Sequence, residues 1–370
     1  MLMKIIPFTD DLIPAVKAFN LRLKASGSEW AFFDNPDPLP QFPDASQRVS
    51  VECFLLMDDD FVRGAYALRH QDFLINGEKF SIADYWRPIS EGIINNAFGM
   101  VAVMLLADAI KRQPFLFGVG GGGFNNNLPR FLKASRWSLC EIPFFFSVLH
   151  PFKFLKNIKF LRATPLKRFV LDSVAYSGLG WSGMKTLNAF LPKAKCAELL
   201  DIEICENFPN DIDELWNICG NEYALIAIRD RKLLNRLYPD HDKANIKLLF
   251  RNSGRLVGWA VVRNTKMAHH KQFGGMHIGS LVDGLALHEY TADIVGGCAI
   301  FLKDKKVDLI VSNQASDIWC NGLKKAGFIK GPSNFIFQAS PKLSAMLGNF
   351  NGQRSTWHLN RGDGDGPIHL

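Results

Sequence analysis

Two carboxylates, Asp84 and Glu91, stand just ahead of the turn Asn95-Asn96-Ala97-Phe98-Gly99-Met100, which opens a long apolar run. A carboxylate can take the proton of an ammonium or hydroxyl nucleophile. A helix start offers unpaired amides and a positive dipole end, which together suit a phosphate, and Gly99 lets the backbone come close to one. Glu91 is the first candidate base and Asp84 the second. The structural alternative is equally physical: Asn95 or Asn96 caps a core helix, and both carboxylates serve the structure rather than the chemistry.

Other chemistry-bearing residues are sparser. His277 and Asp283 lie six residues apart on one strand-like stretch, so strict alternation puts them on one face. Gly118-Val119-Gly120-Gly121-Gly122-Gly123 can hug a slender ligand arm or serve as a turn, and no Gly-Lys-Ser/Thr follows to make it a phosphate loop. His269-His270 reads as a solvated hairpin tip. Seven cysteines are scattered singly, without a Cys-x-x-Cys pair, and no His-Glu-x-x-His spacing occurs. Asp363 and Asp365 resemble part of a calcium loop whose remaining ligands are missing. No metal is expected, and a reducing cytoplasm is the expected compartment.

The elements that must position these residues follow from periodicity. Residues 4–8 read as a strand, 10–24 as a helix, and the proline-rich stretch 30–47 as loop. Residues 51–57, 62–70 and 80–86 form a meander with turns at 58–60 and Asn76-Gly77. Residues 98–112 are apolar nearly all round and read as a buried helix. Strand 115–119, helix 125–135 and strand 142–148 complete the first half. The order then returns: strand 196–205, helix 212–220, hairpin 246–250 with 256–263, strand 276–287, helix 291–303, strand 307–311, helix 318–326 closed by Gly327, and a last strand over 328–338. Four units are expected: residues 1–149, a basic linker or docking segment 150–195, residues 196–340, and a tail 341–370.

Composition sets outer bounds. The chain has 370 residues, 48% of them hydrophobic, so it can bury two cores. Its net charge of +7 favours an anionic partner without choosing between nucleotide, nucleic acid and lipid surface. Residues 151–169 carry six cations and no acid, with Phe154, Ile158 and Leu161 on the other side of a helix, which suits peripheral contact with an anionic membrane or an interdomain packing role. Residues 1–10 lack the apolar core of a secretion signal, and no run reaches transmembrane length.

The repeated element order resembles the GNAT acetyltransferase superfamily over residues 4–150 and 196–340. Asn95 to Val101 resembles its pyrophosphate loop, with Asn96 at the Gln/Arg position, Gly99 at the first glycine, and Val101 in place of the last small residue. Ser316 to Phe328 looks like the superfamily's Asn-x-x-Ala-x-x-x-Tyr-x-x-x-Gly-Phe ending, with Leu323 at the tyrosine. Asn125 to Trp137 is a looser copy, with Leu132 there. The resemblance implies an α/β fold of two GNAT-like domains in tandem, each a mixed, mostly antiparallel sheet flanked by helices. It also implies acetyl-CoA or another acyl-CoA as co-substrate, held by Asn95, Asn96, Ala97, Phe98, Gly99, Met100 and Asn125. The acceptor would be an amine or hydroxyl, with a sugar or polysaccharide precursor as one option. A Fem-like transferase drawing on aminoacyl-tRNA and an inactive binding module remain as alternatives; other nucleic-acid partners are not expected, and the oligomeric state is open. If one lobe holds the donor, the first is expected to, because the matching turn of the second carries Glu289 and Asp293 and no glycine.

Overall fold

The computed structural model describes residues 3–37, 49–120, 122–158, 200–268, 270, 272–348, 350, 352 and 354–364. In chain order the first half runs β1 (Lys4–Pro7), α1 (Ile13–Ala25), β2 (Val49–Asp58), β3 (Phe61–Ile75), β4 (Glu78–Ser90), α2 (Gly99–Arg112), β5 (Leu116–Gly120), α3 (Asn127–Ala134), β6 (Ser138–Glu141), β7 (Phe144–Val148) and α4 (Pro151–Asn157). The second runs β8 (Asp201–Cys205), α5 (Asp211–Cys219), β9 (Leu225–Ala227), α6 (Arg231–Leu237), β10 (Ile246–Asn252), β11 (Arg255–Lys266), β12 (His277–Ala286), α7 (Thr291–Asp304), β13 (Leu309–Asn313), α8 (Asp317–Lys325), β14 (Ile329–Gly331), β15 (Ile336–Ala339), α9 (Pro341–Leu347) and β16 (Trp357–His358).

These strands build two mixed sheets. The first has the order β1-β2-β3-β4-β5-β15-β6, with β9 and β16 added beside the far end of β3. The second has the order β14-β7-β13-β12-β11-β10-β8. In each, the meander is antiparallel and the fourth and fifth strands run parallel. The tight turn Asn76-Gly77 has φ of 51° and 82°, so its short loop fixes the β3–β4 register, with Ile75 opposite Glu78 and Arg69 opposite Asp84.

Each half also lends an inner strand to the other half's sheet. β7 sits between β13 and β14, and β15 sits between β5 and β6. Proline explains where the chain divides. Residues 328–338 read as one strand, but Pro332 cannot donate to a ladder, and the stretch becomes β14 and β15 in different sheets. Pro143 likewise separates β6 from β7.

The cores follow the layers. Phe8, Val16, Phe19, Leu55 and Trp86 pack on the α1 face of the first sheet, and Tyr66, Tyr85, Val101, Leu105 and Trp137 on its α2 face. Each such side chain stabilises by roughly 1.5–3 kcal/mol. Helix α2 is more one-sided than its sequence suggests: Val101, Leu105, Leu106 and Ala109 are buried, while Met100 and Val103 face solvent. Residues 151–157 form α4, whose Lys153 pairs with Asp308 at 2.9 Å; residues 159–169 of the basic segment lie outside the described residues. Among the described residues no helix is long and apolar enough to cross a membrane.

Candidate active site

In both sheets the fourth and fifth strands part company and leave a wedge. β4 pairs with β5 only at Ala83↔Leu116 and Asp84↔Phe117. Just beyond, β4 bulges: Ala67 opposes Trp86 but Ala65 opposes Ile89, so Arg87 and Pro88 face one residue of β3. Arg87 adopts φ 46°, in the left-handed region. β12 also bulges, between Leu281 and Asp283, after its last pairing with β13 at Leu281↔Ser312.

The start of α2 stands over the first wedge. Ser90 leads into one short 3-10 turn and Asn95 into a second, where the Asn95 side chain accepts from the amide of Ala97 at 3.0 Å. Asn95 therefore caps this short turn and not α2 itself, whose N-cap is Phe98 without a side-chain bond, so neither asparagine caps the core helix. The Asn96 carbonyl accepts from the Gly99 amide. Gly92 presses against this start; a Cβ there would meet the Phe98 carbonyl at 2.8 Å and Gly99 Cα at 3.2 Å. In front of Gly99 there is open space, with nothing within 4 Å of where a Cβ would be. No acid lies in the first turn, Met100 is exposed, and Lys111 and Arg112 close the far end. A positive helix end with room before it is what an anionic ligand needs. Asn125 is exposed, ahead of α3.

The two candidate bases lie in different settings. Glu91 is buried, and both its oxygens are taken, by Arg22 Nε at 2.9 Å and Arg63 Nη1 at 3.0 Å. Arg63 also reaches Asp58 at 3.1 Å and stacks 4.3 Å over Phe98. Glu91 thus ties α1 and β3 to the turn that carries α2. Asp84 is buried as well, at the last β4–β5 pairing and on the face shared with Trp86, where Arg69 donates to it at 3.0 Å. The structure does not bring His277 and Asp283 together. His277 takes its backbone contact from Asp308, and the bulge breaks the alternation that the six-residue spacing relied on.

The second wedge is filled. Helix α8 presses on the start of α7, so that a Cβ on Gly322 would lie 3.0 Å from Thr291 Cγ2 and 3.4 Å from the Ala292 amide nitrogen. The C-terminal tail occupies the rest. His358 Nε2 contacts the Gly284 carbonyl of β12 at 2.8 Å, and the Ala315 amide donates to the Leu359 carbonyl at 2.9 Å on the β13 side. Asn360 donates to Asp283 at 2.8 Å. Asp283 also accepts from Arg229 and the Tyr238 hydroxyl, each at 2.8 Å. Burial alone would raise the Asp283 pKa, but Arg229, with His358, Asn360 and Tyr238, outweighs it and leaves the carboxyl below its ordinary value. Arg229 donates as well to Asp363, which is therefore an ion-pair partner; Asp365 lies outside the described residues. The Asp363 carbonyl accepts from Arg69 at 2.8 Å, so one tail joins the two sheets.

The sequence singled out the Gly99 turn and the two carboxylates but not the arginines that hold the carboxylates. A signal existed for Arg69, because the Asn76-Gly77 turn already sets it opposite Asp84. None existed for Arg229 and Asp363, which are 134 residues apart.

No family model matches the chain, and no curated protein sequence matches it. Solved structures do. Saccharomyces cerevisiae N-myristoyltransferase with bound myristoyl-CoA and inhibitors aligns with a TM-score of 0.53 at 11% identity, over 92% of this chain and 80% of that one. A GCN5-related N-acetyltransferase from Anabaena variabilis aligns at 0.51 and 8% identity, over 91% and 72%. A tandem GNAT protein from the clavulanic acid biosynthesis pathway aligns at 0.48 and 11% identity, over 91% and 98%. With the repeated strand order and the two parted, parallel strand pairs, the first two of these likenesses establish the fold: the chain carries two GNAT-like domains in tandem, each a mixed, mostly antiparallel sheet flanked by helices.

Proposed function

We propose that the chain is an acyl-CoA-dependent acyltransferase that holds its donor in the first wedge and passes the acyl group to an amine or hydroxyl. The observation that carries this reading is the start of α2: a dipole end without an acid, reached through open space at Gly99. The phosphates of the donor lie there, and the pantetheine arm runs towards the end of the β4–β5 pairing, beside which Gly364 of the tail packs on Val119. The α2 side of the sheet is then taken by the donor, so the acceptor approaches from the α1 side, which carries Asp84, Arg69 and Trp86. The nucleophile attacks the thioester carbon, its proton passes to Asp84, and the new C–N or C–O bond forms as the C–S bond breaks and CoA leaves as the thiolate. Arg69 orients Asp84. Glu91, with both oxygens engaged, acts as the brace of the α2 start.

Calorimetric titration of the full chain with CoA tests the reading. Binding is expected for the wild type, with at least a hundredfold loss in Gly99→Leu, whose side chain fills the phosphate approach. Glu289→Leu, an exposed change at the matching turn of the second lobe, is expected to leave affinity within twofold. Absence of CoA binding by the wild type, or loss in Glu289→Leu instead, overturns it.

A further inference from the structure

The first lobe carries one cation on β4 with no carboxylate beside it among the described residues. Three arginines lie on β3 and β4: Arg63, Arg69 and Arg87. Arg63 is held by Asp58 and Glu91, and Arg69 by Asp84. Arg87 has no carboxylate within ion-pair distance among the described residues. Its guanidinium lies 4.8 Å over the ring of Phe33 instead. Phe33 in turn packs on Trp86, with ring centroids 4.6 Å apart, and Arg69 lies 5.3 Å from the Trp86 ring on the same face. Arg87 is half-buried, in the bulge itself, one turn of the strand beyond Asp84.

Its backbone makes the case stronger. With φ 46° Arg87 sits where a side chain is strained and glycine would be at ease. Such strain, held beside a site, points to a role for the residue that carries it. A guanidinium fixed flat against an aromatic ring still offers its edge N–H groups, and their fork matches the oxygens of a phosphate. The neighbouring acids do not compete for it, because Asp84 is engaged with Arg69 and Glu91 with Arg22 and Arg63.

We infer that Arg87 is a specificity-determining residue that anchors a phosphate group on the acceptor amine. The inference rests on the proposed reading only in taking the α1 face as the acceptor side. It defines the substrate class as a phosphorylated amine, with the phosphate on Arg87, the rings of Phe33 and Trp86 against its carbon skeleton, and the amine directed towards Asp84.

Direct binding to the full chain without CoA provides the test. Two matched pairs serve as probes at low ionic strength: phosphoethanolamine against ethanolamine, and glucosamine 6-phosphate against glucosamine. In at least one pair the phosphorylated member is expected to bind at least tenfold more tightly, and Arg87→Gln is expected to bring that ratio close to one. Arg87→Gly separates anchoring from architecture: it relieves the left-handed backbone, so the melting temperature holds or rises while the phosphate preference is lost. A wild-type ratio near one in both pairs, or a ratio that survives Arg87→Gln, overturns the assignment. So does a melting temperature that falls in Arg87→Gly with the preference intact, since Arg87 would then serve the fold. If CoA fails to bind while the preference and its loss are seen, the donor reading falls and the Arg87 assignment stands.

Discussion

The two wedges are built from the same parts and finished in opposite ways. Each lies where a bulged fourth strand leaves its parallel neighbour, beneath the first turn of a helix. Over the first, the helix begins with Gly99 facing open space. Over the second, it begins with Thr291, which is buried under α8, and Asp293 lies in the first turn. The tail then fills the second gap with His358, Asn360 and the Arg229–Asp283–Asp363 cluster. A repeated fold therefore does not repeat a site. What distinguishes the lobes is a handful of side chains at the helix start, together with a tail that is buried in the second wedge and reaches the first only at its end, where Gly364 lies against Val119 of β5.

The contrast can be pressed first on whether the lobes are separable at all. A chain ending at residue 149 lacks β15, which lies between β5 and β6. A chain beginning at residue 196 lacks β7, which lies between β13 and β14. Each half would leave an inner strand position unfilled, with unpaired backbone groups on both sides. The stability of a domain is only about 5–15 kcal/mol, too little to absorb that. Neither half alone is expected to give a sigmoidal melt by circular dichroism, whereas the two produced together are. Cooperative unfolding of an isolated half would show that the exchange is dispensable and the lobes are independent units.

A smaller effect compares the two ionic clusters. Arg229, Asp283 and Asp363 are buried, so Asp363→Ala leaves a buried guanidinium short of one partner and should cost about 3–5 kcal/mol. Glu91 bridges Arg22 and Arg63, whose side chains keep 31% and 18% of their exposure and can turn to water. Glu91→Ala should therefore cost only about 1–2 kcal/mol. Urea denaturation measures both. Equal losses would mean that the first cluster is as sealed as the second, against the picture of an open first lobe.

How much of this was legible in the sequence depends on range. The Asn76-Gly77 turn and the alternation of β3 and β4 are local, and they place Asp84 correctly on its strand. The Asn95 to Gly99 turn is local too, and its glycine stands where the sequence puts it, at the helix start. The strand exchange was not legible, because a stretch such as Phe144–Val148 is equally apolar for either sheet, and only packing selects one. Pro143 and Pro332 mark where strands end but not where the next one goes. The tail was the largest omission. Its Arg-Gly-Asp run looks solvated in isolation, and burial of Asp363 depends on Arg229, far away in the chain. The bulges explain the His277–Asp283 error, since one inserted residue defeats any argument from even spacing.

The smallest predicted effect concerns protons in the plugged wedge. His358 is fully buried, and the carbonyl of Gly284 can only accept, so Nε2 carries the hydrogen, while Nδ1 has no partner among the described residues. Burial pushes its pKa below the ordinary histidine value; Asp283 and Asp363 pull it back, and Arg229 adds to the lowering. The rings of Tyr223 and Trp319 close the remaining sides. In the unfolded chain this histidine protonates near pH 6.5, about its free value. The folded chain takes up that proton less readily, so as the pH falls through this region the unfolded state binds more protons and stability falls. Asp283 acts in a different window. Its folded pKa is lowered, so its contribution stays until the pH drops below the usual carboxylate range. Between pH 7.5 and 5.5 the histidine can thus be read apart from it. His358→Gln keeps an N–H for Gly284 without a titrating ring, so its melting temperature should fall less over that interval than the wild type's. Parallel curves would mean that the wedge admits a charged His358, and with it the water that a sealed second lobe excludes.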